Sequence, residues 1–170
     1  NGNVIEISAG FQNSINDVQY KSVDFALNGN IWESDEYGSF RFRGEATKYL
    51  TFETESQFGS GILGDAVDTL GFPEWRTNAL VSWTMGNWAA NISTSYIGES
   101  ESGSGEVQWD SWKEHNLNVS YDFSEYGELT VGANNLTNED PLLDASGSQA
   151  DEYQYPILGR VVYVDYTIEL

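Results

Sequence analysis

Residues 115–123 read His-Asn-Leu-Asn-Val-Ser-Tyr-Asp-Phe. Leu117, Val119, Tyr121 and Phe123 take the odd positions, and Asn116, Asn118, Ser120 and Asp122 the even ones. A β-strand turns successive side chains to opposite faces, so this segment is apolar on one face and polar on the other. The same period of two recurs outward in both directions. Ile5, Ile7, Ala9 and Phe11 oppose Glu6, Ser8 and Gly10; Val23, Phe25 and Leu27 oppose Asp24, Ala26 and Asn28; Phe40 and Phe42 oppose Arg41 and Arg43. Ala79, Val81, Trp83 and Met85 oppose Asn78, Ser82 and Thr84, with Leu80 as an exception, and Trp88, Ala90, Ile92 and Tyr96 oppose Asn91, Ser93 and Ser95. Towards the end, Leu129, Val131 and Ala133 oppose Glu128, Thr130 and Asn134, and Val162, Val164, Tyr166, Ile168 and Leu170 oppose Tyr163, Asp165, Thr167 and Glu169. The reading is all-β, with about eight antiparallel strands.

Composition agrees. Six Trp, ten Tyr and 17 Gly against three Pro and one Met are too aromatic for an acidic disordered chain and unlike an average helical or α/β enzyme. Seven Lys and Arg against 27 Asp and Glu give a formal charge of −20, which excludes a protein that grips nucleic acid through phosphate contacts. The absence of Cys excludes disulfide scaffolds, thiol redox chemistry and thiolate metal sites. No stretch approaches the ~18 apolar residues of a membrane-spanning helix, but a membrane strand needs only about 9–11 alternating residues. The chain opens on Asn1, as expected of a piece of something longer.

Strict alternation fits an antiparallel sandwich sheet with one wet face or the wall of a barrel. Charges crowd the polar side here: Glu6, Asp24, Arg41, Arg43, Glu45, Asp122, Glu128, Asp165 and Glu169. A water- or plug-filled lumen accepts them, which makes Arg41, Arg43, Glu45, Asp122, Glu128 and Asp165 candidate lumen-lining residues. Connections also alternate. Residues 85–87 and 124–127 make tight turns, whereas 55–75, 99–113 and 138–158 are long, acidic and rich in Gly, Ser and Asp. Outer-membrane barrels have this asymmetry, with short turns on one side and long loops on the other.

Four motifs resemble one family. Gly71-Phe72-Pro73-Glu74-Trp75-Arg76-Thr77-Asn78 resembles the Pro-x-x-Arg-x-Asn strand opening of the late barrel in TonB-dependent outer-membrane receptors. Leu129-Thr130-Val131-Gly132-Ala133-Asn134-Asn135-Leu136 resembles that family's penultimate strand, and Gly159-Arg160 followed by residues 161–170 resembles its final strand. Lys21-Ser22-Val23-Asp24-Phe25 is similar to an earlier strand of the same barrel. Thr137 and Leu170 stand where aromatic residues are commoner in the family.

The resemblance implies that residues 1–170 are the C-terminal part of a receptor barrel, the last eight of 22 strands, in the outer membrane of a Gram-negative bacterium with the C-terminus periplasmic. It implies active import of a scarce, bulky solute: an iron–siderophore, haem, cobalamin or an oligosaccharide. The implied partners are outer-membrane lipid and lipopolysaccharide, the rest of the receptor (plug and earlier strands), and TonB with ExbB and ExbD acting through the plug. A secreted, acidic, carbohydrate-binding β-sandwich and an autonomous eight-stranded outer-membrane barrel are the competing readings.

Candidate sites follow from residue type. Trp75, Trp109, Trp112, Tyr153 and Tyr155 lie in or beside the long loops, where aromatic faces can stack on sugar rings or catechols, so they are the candidate ligand-binding residues. Glu99, Glu101, Glu106, Asp110, Asp144, Asp151 and Glu152 make the same region anionic. Residues 59–64 match G-x-G-x-x-G, but Asp65 and Asp68 follow at once and would repel phosphate. His115 is the only histidine and has no histidine partner for a metal. With no nucleophile elbow and no H-E-x-x-H, neither catalysis nor a cofactor or metal is expected.

Overall fold

The computed structural model describes residues 18–55, 63–69, 71–102, 105–143 and 155–168. Ten strands are assigned among them: β1 (Val18–Ser34), β2 (Gly38–Glu55), β3 (Leu63–Asp65), β4 (Trp75–Met85), β5 (Trp88–Ile97), β6 (Ser100–Glu101), β7 (Gln108–Trp109), β8 (Trp112–Asp122), β9 (Glu128–Asn134) and β10 (Val161–Thr167). One antiparallel sheet runs β1-β2-β4-β5-β8-β9-β10, with β3 added to β2, and β6 pairs with β7 in a separate hairpin. Among the described residues β1 and β10 are the edges. The expected strand at residues 4–11 lies outside the described residues.

β1 and β2 run to 17 and 18 residues, longer than their short alternating cores suggested. Two register shifts absorb the extra length, between Lys21 and Ser22 and between Asn30 and Trp32. Such bulges let a strand continue while its neighbours keep step.

Directly paired residues of neighbouring strands share a face, so the register tests the alternation row by row. One row is Leu27, Gly44, Ala79, Thr94 and His115; the next is Gly29, Phe42, Val81, Ile92, Leu117, Ala133 and Val162; a third is Trp32, Phe40, Trp83, Ala90, Val119, Val131 and Val164. Intervening rows are polar: Asn28, Arg43, Leu80, Ser93 and Asn116, then Asn30, Arg41, Ser82, Asn91, Asn118, Gly132 and Tyr163. Leu80 does sit on the polar face.

The apolar face is not covered by a second sheet among the described residues. Val162 and Val164 are each 67% exposed and Ile92 43%. A water-soluble sandwich would bury those side chains, because leaving each in water forfeits about 1.5–3 kcal/mol. The sheet therefore needs an apolar solvent on that side.

All three tight turns lie at one end. β1 and β2 join through residues 35–37, β4 and β5 through 86–87, and β8 and β9 through a 3-10 turn at Ser124–Tyr126. Gly86 has φ 56° in the two-residue turn that closes Met85 onto Trp88, the first-position requirement of a type II′ hairpin. Gly127 has φ 105°, and a Cβ there would run into the carbonyl of Thr167. The described parts of the connections 56–74, 98–111 and 135–160 lie at the opposite end.

Candidate functional site

The long-connection end, here the mouth, is where the chain builds a small buried cluster. Trp112 and Tyr155, each 2% exposed, meet edge to face with ring centroids 5.5 Å apart, and Ile97 and Leu142 pack with them. Trp112 shares a row with Ile97 and Arg76 and therefore lies on the polar side of the sheet. The cluster thus plugs the inner side of the mouth.

Hydrogen bonds tie the three connections into one rim. The Glu101 amide donates to the Asp68 carbonyl at 2.6 Å, joining 66–74 to the β6–β7 hairpin. Trp109 Nε1 donates to the Leu143 carbonyl at 2.6 Å, and Trp112 Nε1 to the Asp140 carbonyl at 3.1 Å, joining that hairpin region to 135–143. Asn135, 2% exposed with φ 51°, is the knot below them. Its amide N–H donates to Asn116 Oδ1, its Nδ2 to the Glu139 carbonyl, and its Oδ1 accepts from the Glu139 amide at 2.7 Å. Asn tolerates the left-handed backbone and supplies both a donor and an acceptor, which accounts for the Asn-Leu motif that follows β9. Gly132 of the same motif lies beneath the Tyr163 ring of β10, where a Cβ would collide.

Between 66–69 and the hairpin is a hollow of about 370 Å³ lined by Asp68, Glu99, Ser100, Glu101, Gln108, Trp109 and Asp110. Four carboxylates and no Lys or Arg line it. Such a surface repels anions and suits a cationic or hydroxyl-rich solute.

The sequence-derived ligand aromatics divide. Trp75 opens β4 on the apolar side, stacked on Phe25 at 6.2 Å with Lys48 Nζ 5.3 Å from its ring centroid. Trp109 is 8% exposed and reaches the acidic hollow; Trp112 and Tyr155 are covered by protein. Tyr153, Asp144, Asp151 and Glu152 lie outside the described residues. Asp68, with φ 67°, was not among the sequence candidates.

The lumen candidates stand together on the polar face. Arg43 Nη2 meets Glu45 Oε1 at 2.7 Å, Arg41 Nε donates to Asn28 Oδ1 at 3.2 Å, and Asp122 Oδ1 accepts from the Ser124 amide at 2.7 Å. Asp165 pairs with Thr130 and Glu128 with Thr167 across β9 and β10. Asn ladders continue between them, as from Asn91 Nδ2 to Asn118 Oδ1 at 3.0 Å. His115 is elsewhere, on the apolar face, with Nδ1 2.8 Å from Thr94 Oγ1.

An apolar outside, a hydrogen-bonded ionic inside, short turns at one end and a built mouth at the other describe a membrane barrel wall. The sequence model of the TonB dependent receptor-like β-barrel matches residues 2–136. The chain belongs to that family. Neither the curated proteins nor the solved structures gave a match. The TonB-dependent receptor family transports rather than catalyses, its barrels lie in the outer membrane, and this chain is a segment of such a barrel.

Proposed function

We propose that this segment supplies wall, lumen lining and mouth to a TonB-dependent importer of one scarce, bulky solute: an iron–siderophore, haem, cobalamin or an oligosaccharide. On this reading the strands are the last eight of 22, the C-terminus is periplasmic, and a plug outside residues 1–170 engages TonB, with ExbB and ExbD supplying the pull. The observation that carries it is the rim, where Asp68, Glu101, Trp109 and Trp112 lock three loops into one shaped acidic mouth above a polar lumen. Preorganised loops lose less entropy on capture, so a rigid rim favours tight binding of a dilute solute. The chemistry of the hollow favours, among these solutes, one with hydroxyl or cationic groups.

Two measurements test it. The receptor gene is deleted, and growth is followed with each solute class in turn as the sole scarce nutrient, with and without active TonB. Loss of growth on one class, reproduced by TonB inactivation, is expected; unchanged growth on every class overturns the assignment. Single cysteines at Glu106 and Asn87, both exposed, then report orientation. An impermeant maleimide on intact cells labels position 106 and spares 87, and the reverse pattern inverts the topology.

A further inference from the structure

The described cations sort by chemistry. All three lysines of the chain, Lys21, Lys48 and Lys113, are on the apolar face near the mouth, whereas the strand arginines Arg41, Arg43 and Arg76 are on the polar face. Below the row of Val23, Lys48 and Trp75, no carboxylate of the described strands shares the lysines' face, although the chain has 27 acidic residues. Above that row the carboxylates nearby are Glu74, beside β4, with Oε1 2.8 Å from Lys48 Nζ, and Glu53 and Asp65, paired with each other and with Gln19 two rows from Lys21. An ammonium has three donors, so the Glu74 contact leaves two for another oxygen.

Height places these lysines. Along β2 eight residues separate Lys48 from Phe40, and along β8 eight to ten separate Lys113 from Tyr121 and Phe123. Phe40, Trp83, Trp88, Tyr121 and Phe123 form a belt at the turn end. Eight to ten residues make about 26–33 Å of strand, or about 20–25 Å of height at a tilt near 40°, which is the thickness of the apolar band of an outer-membrane barrel. From β1 to β8 the lysines also descend by two rows in turn, from Lys21 to the row of Val23 and then to the row of Phe25. That is a slope of about 35° to the rows, again the expected strand tilt. The lysines therefore follow one membrane level, the upper headgroup plane.

Directly below Lys48 the same face is hollow. Gly44, Ala46 and Ala79 leave a groove of about 410 Å³ between Phe25, Leu27 and Phe42. Small residues on two adjacent strands, walled by large ones, fit a linear hydrocarbon chain.

We propose that this face holds a phosphorylated, acylated glycolipid of the outer leaflet, its phosphates on Lys48 with Lys21 and on Lys113, and one acyl chain in the groove. Lys113 lies three strands from Lys48, about 14 Å across the sheet. A disaccharide headgroup with a phosphate at each end spans that distance, whereas a glycerophospholipid has one phosphate. The inference rests on the membrane reading above and specifies a site within it.

The test uses the whole receptor, purified from outer membranes and titrated in detergent with bisphosphorylated lipid A, its dephosphorylated form, phosphatidylglycerol and inorganic phosphate, with bound lipid counted by native mass spectrometry. Heat-modifiable gel mobility first establishes that each variant is a folded barrel; a wild-type protein that never reaches the outer membrane defeats the membrane reading itself. Lys21→Gln/Lys48→Gln/Lys113→Gln should weaken lipid A binding at least about tenfold. Ala79→Leu, which fills the groove, should weaken it while all three lysines remain, and Arg41→Gln/Arg43→Gln should not change it. Folded lysine and groove variants that bind lipid A as wild type does overturn the site. Equal retention of phosphatidylglycerol or of dephosphorylated lipid A overturns the choice of lipid.

Discussion

Arg43 and Gly44 are consecutive in β2 and live in different solvents. Arg43 pairs with Glu45 and shares its row with Asn28 and Asn116. Gly44 lies among Leu27, Ala79 and the ring of Phe42. The two faces of this one sheet differ in what satisfies them. In the strands between β1 and β10 the backbone N–H and C=O groups pair within the ladder on both sides, so the outward face there needs nothing but apolar contact, which lipid supplies. The inward face carries ions and amides that need partners, and its side chains supply them to one another, as Glu45 does to Arg43 and Asn118 to Asn91.

The largest expected effect tests the contrast directly. Ile92→Arg, near the middle of the outward face, should destabilise the assembled barrel by about 2–4 kcal/mol, while Ser93→Arg, one residue along and facing the lumen, should cost far less. Urea titration of the refolded receptor in lipid vesicles, followed by gel mobility, measures both, and equal losses would break the comparison. β10 ends at Thr167, and residue 168 follows Tyr166 at the turn end, so an arginine there should cost less than at Ile92.

Next in size is the mouth, where the inward face is covered by protein rather than water. Asn135→Ala removes the buried donor and acceptor that hold the half-buried Glu139 backbone and places Ala at a positive φ. The expected cost is about 1–3 kcal/mol. Cleavage of the 135–160 connection by added protease should rise in step, while the midpoint for Arg43→Gln controls for general loosening. That control is the smallest effect. Arg43 and Glu45 have side chains 65% and 53% exposed, so losing the pair should change stability by less than about 1 kcal/mol. A larger loss would mean that the lumen is drier than its exposure indicates.

Much of this was legible in the chain. Parity alone assigns Arg41, Arg43, Glu45, Asp122, Glu128 and Asp165 to one face, because alternation is a property of the extended backbone and needs no tertiary contact. The same parity, followed from Val23 to Lys21 and from Leu117 to Lys113, already puts those two lysines with the apolar set. The tight turns at 86–87 and 124–127 and the long connections were equally visible, since Gly, Ser and Asp break strands locally. Strand length was not: β1 and β2 continue through bulges at which the alternation slips.

What only the tertiary structure decided lies at the mouth. Trp109, Trp112 and Tyr155 looked alike in sequence, yet Trp112 and Tyr155 are sealed against each other and Trp109 edges an acidic hollow. Asp68 and Asn135 gave no periodic signal, because each matters through a partner far along the chain or through one unusual φ. Strand faces are set by residues two apart, so the sequence holds them. The rim is set by contacts among three loops that meet only once the strands between them have paired, and no local pattern records which loop will meet which.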